Sequence, residues 1–90
     1  MFNGRCFLCG RYGLLETHHI FGGANRRKSE KFGLKVGLCG DCHRNSRRAA
    51  HRCAATARML HEYGQRKYMQ EQQATIDDFI VAFGKNYLDY

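Results

Sequence analysis

Cys6-Phe7-Leu8-Cys9 and Cys39-Gly40-Asp41-Cys42-His43 repeat one frame, two thiols three positions apart, with His18-His19-Ile20 standing between them. Two Cys-x-x-Cys units supply four thiolates, the number that closes a tetrahedral structural zinc site. The histidines fall outside that set and are free for a second task. Two metals with different roles are therefore expected. Disulfide bonding and thiol redox chemistry are the alternatives, but neither frame follows the strand-then-helix pattern of a thioredoxin-like unit. Cys53 has no partner in either frame and reads as a small apolar packing residue on a helix.

Ninety residues make one domain, which buries only roughly two thirds of its unfolded surface. A core that thin calls for a metal staple. No apolar run is long enough to cross a bilayer, and Met1 to Arg5 lacks the apolar stretch of a secretory signal. A soluble cytoplasmic protein is expected, where thiols stay reduced and available to zinc.

Charge is unevenly distributed. Between Arg26 and Arg52 lie nine cations against Glu30 and Asp41, a surplus of seven that equals the net charge of the whole chain. The excess sits beside the histidines. A basic segment gathered in one place is the electrostatic footprint of a polyanion, most often nucleic acid. A solvated surface kept for solubility is the alternative, although solubility does not require one sign in one place.

Around the metal frames, Cys6 to Gly13 reads as a knuckle, with Gly10 and Gly13 supplying backbone freedom. Leu14 to Ile20 suits a strand, and Phe21 to Asn25 is a turn that leads into the basic run Arg26-Arg27-Lys28. Leu34, Val36 and Leu38 alternate with Lys35 and Gly37, the period of a half-buried strand. From Ala49 to about Gln73 the composition favours helix, with Met59, Leu60 and Tyr63 able to share a face and Gly64, about 1 kcal/mol worse than Ala, as a candidate break. A second helix is marked by a Thr75/Asp78 capping box and by Ile76, Phe79, Ile80 and Phe83 at i, i+3, i+4, i+7 before Gly84. That stripe is core or docking surface.

A knuckle, two strands with His-His at the first, a second knuckle ending Cys-His, and a helix together resemble the zinc-containing branch of the HNH endonuclease superfamily. The matching stretch runs from Cys6 to about His51. A further pattern, from Ala50-His51 through Leu60-His61-Glu62-Tyr63-Gly64-Gln65 to Phe83-Gly84-Lys85-Asn86-Tyr87-Leu88, is similar to small phage-encoded, RecA-dependent nucleases. The resemblance implies an α+β fold: a zinc-stapled, treble-clef-like ββα-metal core over about 5–60 with a helical extension over about 61–90. It implies DNA as substrate, a bacterial or phage-infected host cell as setting, and a RecA-type filament as a partner. Small-molecule substrates and membranes have no place in it.

Residue by residue, the resemblance makes Cys6, Cys9, Cys39 and Cys42 the structural zinc ligands. His18 and His43 become ligands of a catalytic Mg²⁺ or Mn²⁺, a site that Zn²⁺ or Ni²⁺ can also occupy, and His19 becomes the general base. Neighbouring strand residues face opposite ways, which suits one histidine aimed at metal and one at water. The chain departs from the family where a middle asparagine is usual: Leu34 stands there. The group that orients His19 is then a backbone carbonyl or another residue such as Asn25 or Asn45. His51 is a third ligand if Arg44 to Ala49 is a loop; on one straight helix it would lie about 12 Å along the axis from His43. A phosphate contact and a simple helix-start histidine are its other readings. His61 is structural or solvent-facing.

The reading is a metal-dependent DNA endonuclease whose Arg26, Arg27, Lys28, Arg44, Arg47 and Arg48 hold phosphates without reading bases. A non-catalytic, zinc-stabilised nucleic-acid-binding module is the alternative, with a protein-interaction module behind it. Three imidazoles that need not be charged at pH 7 distinguish the first from the others.

Overall fold

The alternation of Leu34, Val36 and Leu38 becomes strand β3 (Lys35–Leu38), with Leu34, Val36 and Leu38 buried. It pairs antiparallel with β2 (Tyr12–His19), His18 opposite Val36 and His19 opposite Lys35. The computed structural model describes residues 1–88 of the chain. A strand not expected from sequence, β1 (Phe2–Arg5), joins the other side of β2 and completes a three-stranded sheet of order β1-β2-β3. Gly37 makes room for it. A Cβ on Gly37 would lie 2.8 Å from Cζ of Phe2 and 2.9 Å from Cδ1 of Leu15.

The Phe21–Asn25 turn is present and contains a 3₁₀ turn over Gly23–Asn25. The basic run that follows opens a short helix, α1 (Arg26–Lys31). Ser29, fully buried on α1, accepts from the Phe21 N–H at 3.0 Å and donates to the Phe21 carbonyl at 2.8 Å. One hydroxyl thus fastens α1 to the chain just beyond the paired histidines.

The long helix α2 (Ala54–Gln72) begins five residues later than composition suggested, because the chain over 41–53 is occupied by turns. Cys53 is accordingly the residue before the helix rather than a member of it. Its thiol is lowered by the facing Thr56 hydroxyl and amide. The helix is unbroken at Gly64. The buried face also differs from the one expected: Leu60, Gly64 and Gln65 point inward, whereas Met59 and Tyr63 are exposed. The boundary expected near residue 60 falls inside α2, and one core runs from Cys6 and Leu15 to Phe79 and Phe83.

The capping box forms as read, with Asp78 N–H donating to Thr75 Oγ1 at 3.1 Å and Thr75 N–H to Asp78 Oδ2 at 2.9 Å. It starts α3 (Ile76–Phe83), which ends on Gly84 at φ 90°. Phe79 and Phe83 are buried, Ile80 is exposed, and the pair packs on Phe21 with ring centroids 5.6 and 4.9 Å away. Helix α1 and the residue before it hold the far end of α3, where Asn25 Nδ2 donates to the Phe83 carbonyl at 3.0 Å and Lys28 Nζ donates to that of Ala82. A cation at the carbonyl end of a helix is favourable in both hydrogen bonding and dipole. His61 is a structural residue, stacked on Phe21 at 5.4 Å and beside Tyr87 at 4.6 Å. Burial lowers its pKa.

Gly64 decides how closely α2 approaches the segment after the histidines. An added Cβ would stand 2.8 Å from Ile20 Cγ2 and 2.9 Å from Phe21 Cε2, and Phe21 is boxed in by other rings. Gly64→Ala is therefore expected to destabilise by about 1–3 kcal/mol through overpacking, although helix propensity alone would stabilise by about 1 kcal/mol. A urea midpoint equal to or above the parent's would show that the helix can move away freely.

Candidate metal centres and a basic cleft

Each Cys frame is a turn at the end of a strand. Gly10 N–H donates to the Cys6 carbonyl at 2.9 Å with Gly10 at φ 77°, whereas Gly13 already lies in β2 opposite Gly4. The second frame leads from β3 into a five-residue π turn, Asp41–Asn45. The four sulfurs of Cys6, Cys9, Cys39 and Cys42 lie within 4.8 Å of one another, with Cys9 and Cys39 at 3.8 Å. A Zn–S bond of about 2.3 Å places tetrahedral sulfurs about 3.8 Å apart. All five cysteines are free thiols, so no disulfide competes.

The sulfurs are prepared unequally. Burial opposes ionisation of Cys6, but the amides of Cys9, Cys39 and Leu8 outweigh it and bring the thiol down to about 6. Cys42 is pushed up by burial and by the three neighbouring sulfurs. Four thiolates this close need a cation among them, and zinc fits the donors and their spacing. Arg11 stands outside the group, 3.9 Å from Cys39 Sγ and 3.2 Å from Asp41 Oδ2.

His43 follows Cys42 directly but turns to a different cluster. The π turn and the loop after it fold the chain back, with Ala50 N–H on the Cys42 carbonyl at 2.7 Å and His51 N–H on that of His43 at 3.1 Å. Arg44 to Ala49 is therefore not a straight helix, and His51 lies beside His43. One nitrogen from each of His18, His43 and His51 falls within a 4.8 Å group. His43 and His51 bring Nε2 to Nε2 at 3.0 Å, and the His18 ring lies 5.2 and 5.1 Å from theirs.

Glu16, two residues before His18 on β2, takes His43 Nδ1 at 2.6 Å. The His43 contact holds Glu16 below the usual carboxylate range, so it is an acceptor and His43 Nδ1 carries the hydrogen. Nε2 of His43 is left with its lone pair toward the cluster. A carboxylate behind a ligating imidazole is the usual way to fix its tautomer. Burial, then His43 and His51, lowers His18 to about 4, which keeps it neutral and able to ligate. An all-imidazole donor set suits zinc, nickel and similar first-row ions. Magnesium prefers oxygen ligands and would retain most of its water.

His19 is not a member of this trio. Its Nε2 meets Glu30 Oε2 on α1 at 2.7 Å. Asn25 Nδ2 donates instead to the Phe83 carbonyl at 3.0 Å, and the Asn45 side chain lies beside Gly40. The partner of His19 is thus neither of those residues nor a backbone carbonyl, but a carboxylate that sequence reasoning passed over. Leu34, at the position of the expected asparagine, is fully buried in the core.

His18, His19, His43 and His51 line one cleft of about 330 Å³ together with Arg26 and Arg44. Arg27 joins Arg26, His19 and Glu30 in an adjoining recess. Arg47 and Arg48 are exposed on the loop, Arg48 on the side of Cys9 and Cys42. Lys28 is turned onto α3, with its ammonium also over the Phe83 ring. No described helix is long and apolar enough to cross a membrane. No protein-family model, no characterised protein and no solved structure matches the chain.

Metal analysis of purified protein is expected to give one tightly held zinc per chain that disappears, together with the fold, in Cys9→Ser/Cys42→Ser. Cys53→Ser should leave the zinc in place. The binding energy of a structural zinc, on the order of 10 kcal/mol, exceeds what so small a core can lose. A zinc-free protein whose cooperative melting ignores strong chelator would refute the assignment.

Proposed function

We propose that the protein is a metal-dependent endonuclease of HNH type that hydrolyses DNA phosphodiester bonds. The observation that carries this reading is the separation of roles within one basic cleft. Three histidines converge on a point, a fourth stands beside them with a free nitrogen, and arginines flank both.

The chain's own groups divide the work as follows. His19 Nδ1 is the proton acceptor for the attacking water, since Nε2 is taken by Glu30. Imidazole is the side chain best suited to accept and return a proton at neutral pH. Arg26 and Arg44 hold the phosphate and oppose the charge that develops on it. Arg27, Arg47 and Arg48 extend the contact along the backbone, which positions DNA without reading its sequence. A divalent ion held by His18, His43 and His51 supplies Lewis-acid stabilisation of phosphate oxygens when bound. The sulfur site keeps β2 and the π turn together, so that His18 and His43 meet.

His19→Ala is expected to lower cleavage by about 10²- to 10⁴-fold while zinc content and DNA affinity stay near the parent's. His18→Ala and His43→Ala should instead raise the Mn²⁺ or Ni²⁺ concentration needed for half-maximal rate. Parental cleavage by His19→Ala would remove that residue as base. A protein that binds DNA yet cuts no duplex, nicked, branched or single-stranded substrate with any of these ions, with or without a RecA-type filament, is a zinc-stabilised binding module instead.

Binding electrostatics separates the cations further. Removing Arg26 and Arg27 should flatten the dependence of log affinity on log salt by roughly 0.9 for each phosphate that is no longer neutralised. Lys28→Met should leave that slope unchanged and lower stability, because its ammonium serves α3. The opposite pattern, slope moved by Lys28 alone, would contradict the division.

A further inference from the structure

We propose that Glu30 is the positioning residue for His19, fixing its imidazole in the Nε2–H tautomer with Nδ1 presented to water. The assignment rests on the nuclease reading for its catalytic consequence but not for its geometry.

Three tethers hold the Glu30 carboxylate where it is. Ser29, one residue earlier, locks α1 to the Phe21 backbone through the paired hydrogen bonds of its hydroxyl. Lys35, the β3 residue opposite His19 in the sheet register, donates to Glu30 Oε1 at 3.0 Å. The remaining oxygen, Oε2, faces His19 Nε2 at 2.7 Å. One carboxylate therefore spans a helix and two neighbouring strands, and only one of its oxygens is left to choose a partner.

A carboxylate accepts hydrogen bonds and donates none, so the facing imidazole nitrogen carries the hydrogen. The other nitrogen then has the lone pair. The same logic makes the third member of a catalytic triad necessary: it holds the base in the right tautomer and orientation without touching substrate. Glu16 does the reverse for His43, holding Nδ1 and releasing Nε2. Two carboxylates thus select opposite tautomers in histidines whose tasks differ.

Stability is not the reason for the Glu30 pair. The carboxylate side chain is 60% exposed, and ion pairs in water-accessible positions add little to stability. Glu30→Ala should fold and keep its zinc, which leaves orientation as the property that changes.

Imidazole ¹⁵N spectra of the zinc-loaded protein, with His19 assigned by comparison with His19→Gln, test the tautomer directly. The parent is expected to show His19 as Nε2–H, and Glu30→Ala to lose that preference. In cleavage at saturating DNA, Glu30→Ala should be roughly 10- to 100-fold slower with DNA affinity not weakened, since Glu30 is no phosphate-binding cation. Glu30→Gln, which keeps an acceptor oxygen at the same reach, should recover most of the rate. An Nδ1–H tautomer in the parent, a tautomer indifferent to Glu30→Ala, or an unchanged cleavage rate in that variant would each overturn the proposal. If the parent cuts no DNA, the nuclease reading fails, and the spectra still decide what Glu30 does to His19.

Discussion

Four sulfurs drawn within 4.8 Å of one another set the condition that everything else obeys. They tie the turn before β2 to the turn after β3, so the two strands cannot slide without opening the group. Register follows from that tie, and register puts His18 opposite Val36 and His19 opposite Lys35. A chain with so small a core has no comparable alternative, because closing the same loops through apolar contacts alone would need area it does not possess.

The imidazole cluster inherits its order from this tie. Cys42 and His43 are consecutive, one facing sulfur and the other the histidines, and the Ala50 and His51 amides return to their carbonyls. From the other side, α2 and α3 press on Ile20 and Phe21, the residues directly after the paired histidines. The C-terminal helices are in this sense a brace. They add no side chain to the histidine cleft, yet they fix the end of the strand that carries two of its members.

The Cys frames, the alternation in β3 and the Thr75/Asp78 cap were legible because each is a local pattern with a local cause. Strand β1 was not, for Phe2-Asn3-Gly4-Arg5 has no alternation and depends on the bare surface of Gly37. On α2, apolar spacing found Leu60 but assigned Met59 and Tyr63 to its face, since a glycine that allows close approach adds nothing to a hydrophobic count. Glu16 and Glu30 were passed over for another reason. The family pattern pointed to a backbone carbonyl or an asparagine behind His19, whereas the groups that serve the histidines are carboxylates brought in by sheet register and by α1. Clustering of His18, His43 and His51 was conditional on a loop, and the π turn with its return bonds supplies that condition.

The loop from Arg44 to Ala49 leaves and rejoins the fold between two bonded pairs, Cys42 with Ala50 and His43 with His51. Its length is therefore decoupled from the position of either histidine. Doubling a flexible loop costs only about 0.6 kcal/mol in closure entropy, so residues can be inserted there while the cluster stays in place. The segment also carries Arg44, Arg47 and Arg48. The length of one loop can consequently set how far the positive charge reaches, without moving the centre beneath it.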